Sequence, residues 1–137
     1  MIDAGPSLLY LVKQVELAVR ARLEELVRPT GITALQYTAL TVLERHDGIS
    51  AAQLARGSFV TAQSMADMVR ALETRGLIER RRNPANRREL LLHLTAAGRE
   101  LLAACAEPVR ELEARMIRDL DPAELRRALT TAREALI

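Results

Sequence analysis

The chain has 137 residues, 49% hydrophobic and 28% charged, a balance that suits one folded domain and excludes wholesale disorder. Twenty basic residues, all arginine except Lys13, oppose 18 acidic ones for a net charge of +2, and the aromatics are only Tyr10, Tyr37 and Phe59. The single cysteine, Cys105, excludes an intrachain disulfide and a cysteine-based metal cluster; no apolar run approaches the ~18 residues of a membrane span, and no signal-peptide pattern opens the chain, so a soluble, cytoplasmic protein is expected.

A first helix is predicted over residues 8–27. Ser7 can cap it, and Leu8, Val12, Val15, Val19, Leu23 and Leu26 recur at steps of three or four, which makes one face apolar. Pro29 and Gly31 end it. Thr33 and Gln36 form a capping box, stapled by Ile32 and Tyr37, and open a helix over 34–45. Ser50 and Gln53 repeat the box, stapled by Ile49 and Leu54, and predict a helix over 51–56. Thr61 caps a fourth helix over 62–75, which Gly76 can close in the left-handed conformation. The turn between the third and fourth helices is Gly57-Ser58-Phe59-Val60, the four-residue, glycine-containing turn of a helix-turn-helix.

The pattern then turns strand-like. Leu77 to Arg81 reads as one strand, and Leu90, Leu92 and Leu94, alternating with Leu91 and His93, as another. Between them Arg82-Asn83-Pro84-Ala85-Asn86-Arg87-Arg88 reads as a basic, turn-rich loop. Thr95 caps a long helix whose stripe of Leu102, Cys105, Val109, Leu112 and Met116 runs through Pro108, predicting one helix kinked there. Asp121 and Glu124, with Pro122 at the first helical position, open a last helix over about 122–136.

The expected fold is mainly α with a small β-hairpin: a winged helix-turn-helix lobe over 33–94, with 7–28 and 95–137 as a helical dimerisation region, in one domain spanning 1–137. The two outer helices are amphipathic and lie at opposite ends of a short chain. A self-complementary two-fold interface would cover their apolar stripes. A helix-turn-helix lays its second helix in the DNA major groove, and two lobes would reach grooves about 10 bp apart. Charge agrees with that use: residues 56–88 carry a net +5, and the remainder −3.

On the fourth helix, Met65, Met68, Val69 and Leu72 should face inward, and Gln63, Asp67, Arg70 and Thr74 outward, with Ser64 beside them. Gln63 has the bidentate geometry for adenine, and Arg70 for guanine or phosphate. Thr61 and Ser64 suit phosphates at the helix N-terminus. Asp67 either accepts from a cytosine amino group or holds Arg70 across one turn, and the second reading is favoured. Arg80, Arg81 and Arg82 are expected at phosphates, and Arg87 and Arg88, at or just past the loop tip, in a narrow minor groove.

Five segments together resemble the MarR (multiple-antibiotic-resistance regulator) transcription factors: 33–37, Gln53-Leu54-Ala55, the run from Leu72 to Arg80, the wing from Asn83 to Arg88, and Leu94-Thr95-Ala96-Ala97-Gly98-Arg99. The resemblance implies a homodimer whose first and last helices interlock, with two winged lobes on double-stranded DNA at a pseudo-palindromic operator. It also implies a repressor released by a small aromatic or amphipathic effector. Arg88 matches the family's minor-groove arginine. Asn86 stands where the family usually has an aspartate that holds a wing arginine, which predicts a looser wing.

No nucleophile motif or phosphate-cradling glycine loop is present, so no enzymatic activity, cofactor or metal is expected. Cys105 lies on an apolar stripe and reads as a core or interface thiol. His46 and His93 are far apart, and neither has an acidic partner at ligand spacing. Tyr10, Arg20, Tyr37 and His46 are candidate effector-pocket members, although Tyr37 serves equally as the staple of Ile32. The competing reading is a winged-helix protein–protein interaction module that binds no operator.

Overall fold

The computed structural model describes residues 5–137; residues 1–4, part of the expected domain, lie outside the described residues. Its elements are α1 (Leu8–Val27), a 3-10 turn (Arg28–Thr30), α2 (Ala34–Arg45), α3 (Ala51–Ser58), α4 (Ala62–Thr74), β1 (Ile78–Asn83), β2 (Asn86–Leu94), α5 (Ala96–Met116) and α6 (Pro122–Leu136). The helix starts follow their caps. Ser7 accepts from the Tyr10 N–H, and Thr33/Gln36 and Ser50/Gln53 close both bonds of their boxes. Thr61 accepts from the Ser64 N–H and Thr95 from the Gly98 N–H. Asp121 accepts from Ala123 and Glu124 N–H, so it caps α6 through its own carboxylate.

The core lies in the middle of the chain. Leu40, Leu43, Leu54, Met65, Leu72 and Leu92 are its largest fully buried side chains, drawn from α2, α3, α4 and β2. Val27 joins them from the end of α1, and Leu102 and Cys105 from the first half of α5. Burial pushes the Cys105 thiol and the Tyr37 phenol up from their ordinary pKa values. Tyr37 is therefore a core residue, as its staple role implies.

Three boundaries differ from the sequence reading. Helix α3 runs on through Gly57 and Ser58, and the left-handed residue of the turn is Phe59, with φ 62°. Gly57 serves close packing instead: a Cβ there would sit 3.2 Å from Val42 Cγ1 of α2. The basic stretch 82–88 is almost entirely strand. Antiparallel pairing runs from Ile78 with Leu94 to Arg82 with Leu90, slips at Arg82/Asn83, and ends with Asn83 beside Asn86. Only Pro84 and Ala85 turn the chain. The polar composition suggested a loop, but a narrow hairpin standing in solvent needs no apolar side chains to keep its ladder. Leu90 is accordingly 43% exposed, although it continues the alternation of buried Leu92 and Leu94.

Two sequence segments meet in one joint at the base of the hairpin. The Thr95 N–H donates to the Leu77 carbonyl at 3.1 Å, and the Thr95 hydroxyl to the Gly76 carbonyl at 2.6 Å. Gly76 holds φ 71°, closing α4. The first turn of α5 presses so closely on this corner that a Cβ on Gly98 would lie 2.3 Å from the Leu77 oxygen. Gly-Leu-Ile and Leu-Thr-x-x-Gly are thus two halves of a single contact.

The outer helices bury little. α6 has no buried residue, and α1 has only Val27. Leu8, Leu9, Val12, Val15, Leu120, Leu129 and Leu136 are all exposed, and outside the two chain ends the exposed large hydrophobics among the described residues are Leu35, Phe59 and Leu90. One open groove runs between α1 and α5, lined by Val15, Val19, Leu112 and Met116; another lies between the end of α5 and α6, at Ile117, Leu125 and Leu129.

Candidate nucleic-acid interface

Helix α4 presents two faces. Met65, Val69 and Leu72 are buried, and Met68 is half-buried against them, while Gln63, Ser64, Asp67, Arg70 and Thr74 are exposed. The inward set anchors α4 on α3 and β1. The outward set is left facing solvent at i, i+4, i+7 spacing. Arg70 bonds to Asp67 one turn earlier. That pair aims the guanidinium and leaves its remaining donors open, so a base or phosphate would meet an oriented group.

At the N-terminus of α4 the hydroxyls are unequal. Thr61 accepts from the Ser64 N–H and donates its proton to Ser64 Oγ at 3.1 Å, so its single donor is spent. Ser64 keeps its own O–H free to donate. Gln63 makes no side-chain hydrogen bond among the described residues, so both ends of its amide remain available.

The arginines of the hairpin divide by partner. Arg80 bonds to Glu73 of α4 at 2.7–2.8 Å, an ion pair that ties β1 to α4. Arg81 pairs with Glu79 two residues before it. Arg82 reaches only the Arg87 carbonyl, at 3.4 Å. The Arg87 and Arg88 side chains have no partner among the described residues, and both stand exposed on β2 next to the two-residue tip. Of the five, the least engaged guanidinium groups are the outermost.

Asn86 does not reach a wing arginine. Its Oδ1 accepts the Arg88 backbone N–H at 3.2 Å, and Asn83 Oδ1 accepts the Ala85 N–H at 3.0 Å, so two asparagine side chains pin the tip from both strands. An amide does here for the backbone what the expected carboxylate would do for a side chain.

Sequence reasoning missed the clamp at the other end of the hairpin. Asp47, in the loop between α2 and α3, accepts the Leu94 N–H at 3.1 Å, meets His93 Nδ1 at 3.3 Å and lies 3.5 Å from Arg99 of α5. His93 therefore does have an acidic partner, 46 residues away in the chain. Desolvation raises the Asp47 pKa, but the Leu94 N–H, His93 and Arg99 outweigh it and hold the carboxyl below its ordinary range. Gly48 makes room for the ring, since a Cβ there would sit 2.9 Å from His93 Cε1. Beside it Ile49 pairs with Leu92 as an isolated bridge, adding a short third rung to the sheet. Arg20 bonds to Glu16 along α1, and that contact leads the causes that lower the Glu16 pKa, while His46 is the exposed C-cap of α2.

A helix-turn-helix whose second helix keeps a polar outer face, followed by a basic two-stranded hairpin, defines a winged helix-turn-helix. Residues 30–89 match the model of the MarR family. The chain is 33% identical over 108 residues to the HTH-type transcriptional repressor Rv2887 of Mycobacterium tuberculosis, an alignment covering 79% of this chain and 78% of the relative. The chain belongs to the MarR family of transcription regulators, which are not enzymes. Solved structures share its fold: MepR of S. aureus in a DNA complex (21% identity, TM-score 0.84, 96% of this chain and 97% of that one) and a MarR mutant of E. coli complexed with operator DNA (24%, TM-score 0.80, 93% and 92%). No helix is long and apolar enough to cross a membrane among the described residues.

Proposed function

We propose that the protein is a homodimeric repressor that reads a pseudo-palindromic operator and is released by a small aromatic or amphipathic effector. Residues 33–94 form the reading lobe, and 7–28 with 95–137 the dimerisation region. Gln63, Ser64 and the Asp67–Arg70 pair enter the major groove, with Thr61 capping the helix that carries them. Arg81 and Arg82 flank phosphates, and Arg87 and Arg88 reach the minor groove from a tip that Asn86 holds. The observation that carries this reading is the pair of unpartnered, exposed arginines at the hairpin tip, beside an outward face on α4 that the core does not use. The bared apolar faces of α1 and α6 support the dimer.

The test is binding to the DNA upstream of the protein's own gene across a salt series. Neutralising ~6–10 phosphates predicts a loss of ~10³–10⁵ in affinity between 50 and 200 mM salt. Arg88→Ala should weaken binding strongly and leave the sedimenting species unchanged. Flat salt dependence would sink the operator reading and leave the protein–protein module in its place. Effector release is tested separately, by a thermal-shift screen with phenolic and amphipathic compounds followed by operator release.

A further inference from the structure

The C-terminal end of α4 is anchored by an arginine that reaches back to the start of the lobe. Arg75 is the C-cap residue of α4, and its Nη2 donates to the Thr30 carbonyl at 2.7 Å. Its guanidinium lies against Gly31, where a Cβ would sit 3.1 Å from Nη1 and 3.4 Å from Nη2. Gly31 also holds φ 81°, so this position needs glycine twice over, for its backbone and for the slot above it. The same joint is braced from α1. Glu24 accepts the first N–H of α2, from Ala34, at 2.8 Å, and the Thr30 hydroxyl donates to the Val27 carbonyl at 2.5 Å. Among the hydrogen bonds of the described residues, the bond from Arg75 to Thr30 is the one link between α4 and the α1–α2 joint.

Its placement matters because α1 and α4 have different tasks. α1 leads from this joint to the exposed apolar face, and α4 carries the outward polar face. The lobe is joined to the platform at two places, the α1–α2 joint and α5, so the angle at that joint helps set where the lobe stands. A planar guanidinium donating across that bend fixes its angle, and a glycine without a Cβ lets it approach. We propose that Arg75 is a positioning residue: it sets the angle of each recognition helix on the dimer platform, and with it the half-site spacing that the protein accepts. The inference rests on the dimeric operator reading given above.

The experiment uses the full chain and three duplexes: the footprinted upstream operator, the same operator with one base pair inserted between half-sites, and an unrelated sequence. Wild-type protein should prefer the native spacing. Arg75→Ala should lose about tenfold on that operator, a size typical of coupling between sites. Its affinity for the other two should hold, so that the spacing preference collapses while the salt slope does not change. Arg75→Lys, which keeps the charge and a donor but not the planar guanidinium, should fall between wild type and the alanine variant. Gly31→Ala, which crowds the guanidinium and also strains the backbone of the joint, should erode the preference in the same direction. Sedimentation and circular dichroism establish that each variant is folded and dimeric; should one fail, the remaining two carry the test.

A uniform loss on every duplex, with the salt slope reduced by about one, would make Arg75 a phosphate contact and overturn the proposal. Wild-type spacing preference retained by the folded variants overturns it equally. A wild-type protein that binds all three duplexes alike removes the operator reading itself, and this inference with it.

Discussion

Gly98 sits where any side chain would meet a backbone carbonyl. Because its Cβ would lie 2.3 Å from the Leu77 oxygen, Gly98→Ala has to push α5 off the base of the hairpin. Overpacking of this kind costs about 1–3 kcal/mol, and urea unfolding of the variant should show a loss in that range. Phe59 is the opposite case. It holds a left-handed φ and is 86% exposed, so the fold gains little from the side chain and bears the strain of the backbone. Phe59→Gly should raise stability by about 1 kcal/mol, measured in the same way; a loss of stability would mean that the ring packs usefully somewhere. Neither residue's situation was legible in the sequence. A glycine stood in the expected turn at position 57, and nothing local reveals that Val42 claims that one and that a phenylalanine takes the strained geometry.

The helices were legible because their signals are local. Side chain and backbone settle a capping box within four residues, and five of the six helix starts follow such a cap as expected, the sixth in half its bonds. The hairpin was less so, since its pairing joins residues up to 16 positions apart. Its base depends on Asp47, from a loop that carried no motif. Asp47→Asn should loosen the hairpin against α2 and α5 at neutral pH, lowering the unfolding midpoint and weakening operator binding. The pH dependence follows from the sign of the shift. The Asp47 pKa is depressed on folding, so its contribution is complete above the unfolded value of about 3.9 and is lost as pH falls through the lower folded value. The difference between wild type and Asp47→Asn should therefore be present at pH 5 and shrink as pH falls below 4. A gap that stays constant down to pH 3 would show that the carboxylate's charge is not what holds the clamp.

For the whole molecule the decisive feature is the distribution of burial. The middle of the chain buries its apolar side chains, whereas its two ends display theirs, a pattern that one copy does not resolve. Val15 lines the groove between α1 and α5. Val15→Glu should convert a sedimenting dimer to monomer and abolish operator binding with the lobe still folded; a variant that remains dimeric would place the interface elsewhere. The amphipathic ends were legible from periodicity, but the residues they meet are absent from any single-chain pattern. The boundary between these two regions falls within α5, whose first half buries Leu102 and Cys105 in the lobe and whose second half carries Leu112 and Met116 along α1. Pro108 stands between them, inside an unbroken helix. Having no N–H, it cannot bond to the Ala104 carbonyl, so the ladder lacks a rung close to the border, just before Val109, which still packs against the core. Cooperative melting passes along a helix through its consecutive bonds. On the dimeric reading proposed above, the two halves of α5 should therefore open as separate units: amide exchange in the first should follow the stability of the lobe, and in the second the concentration of protein.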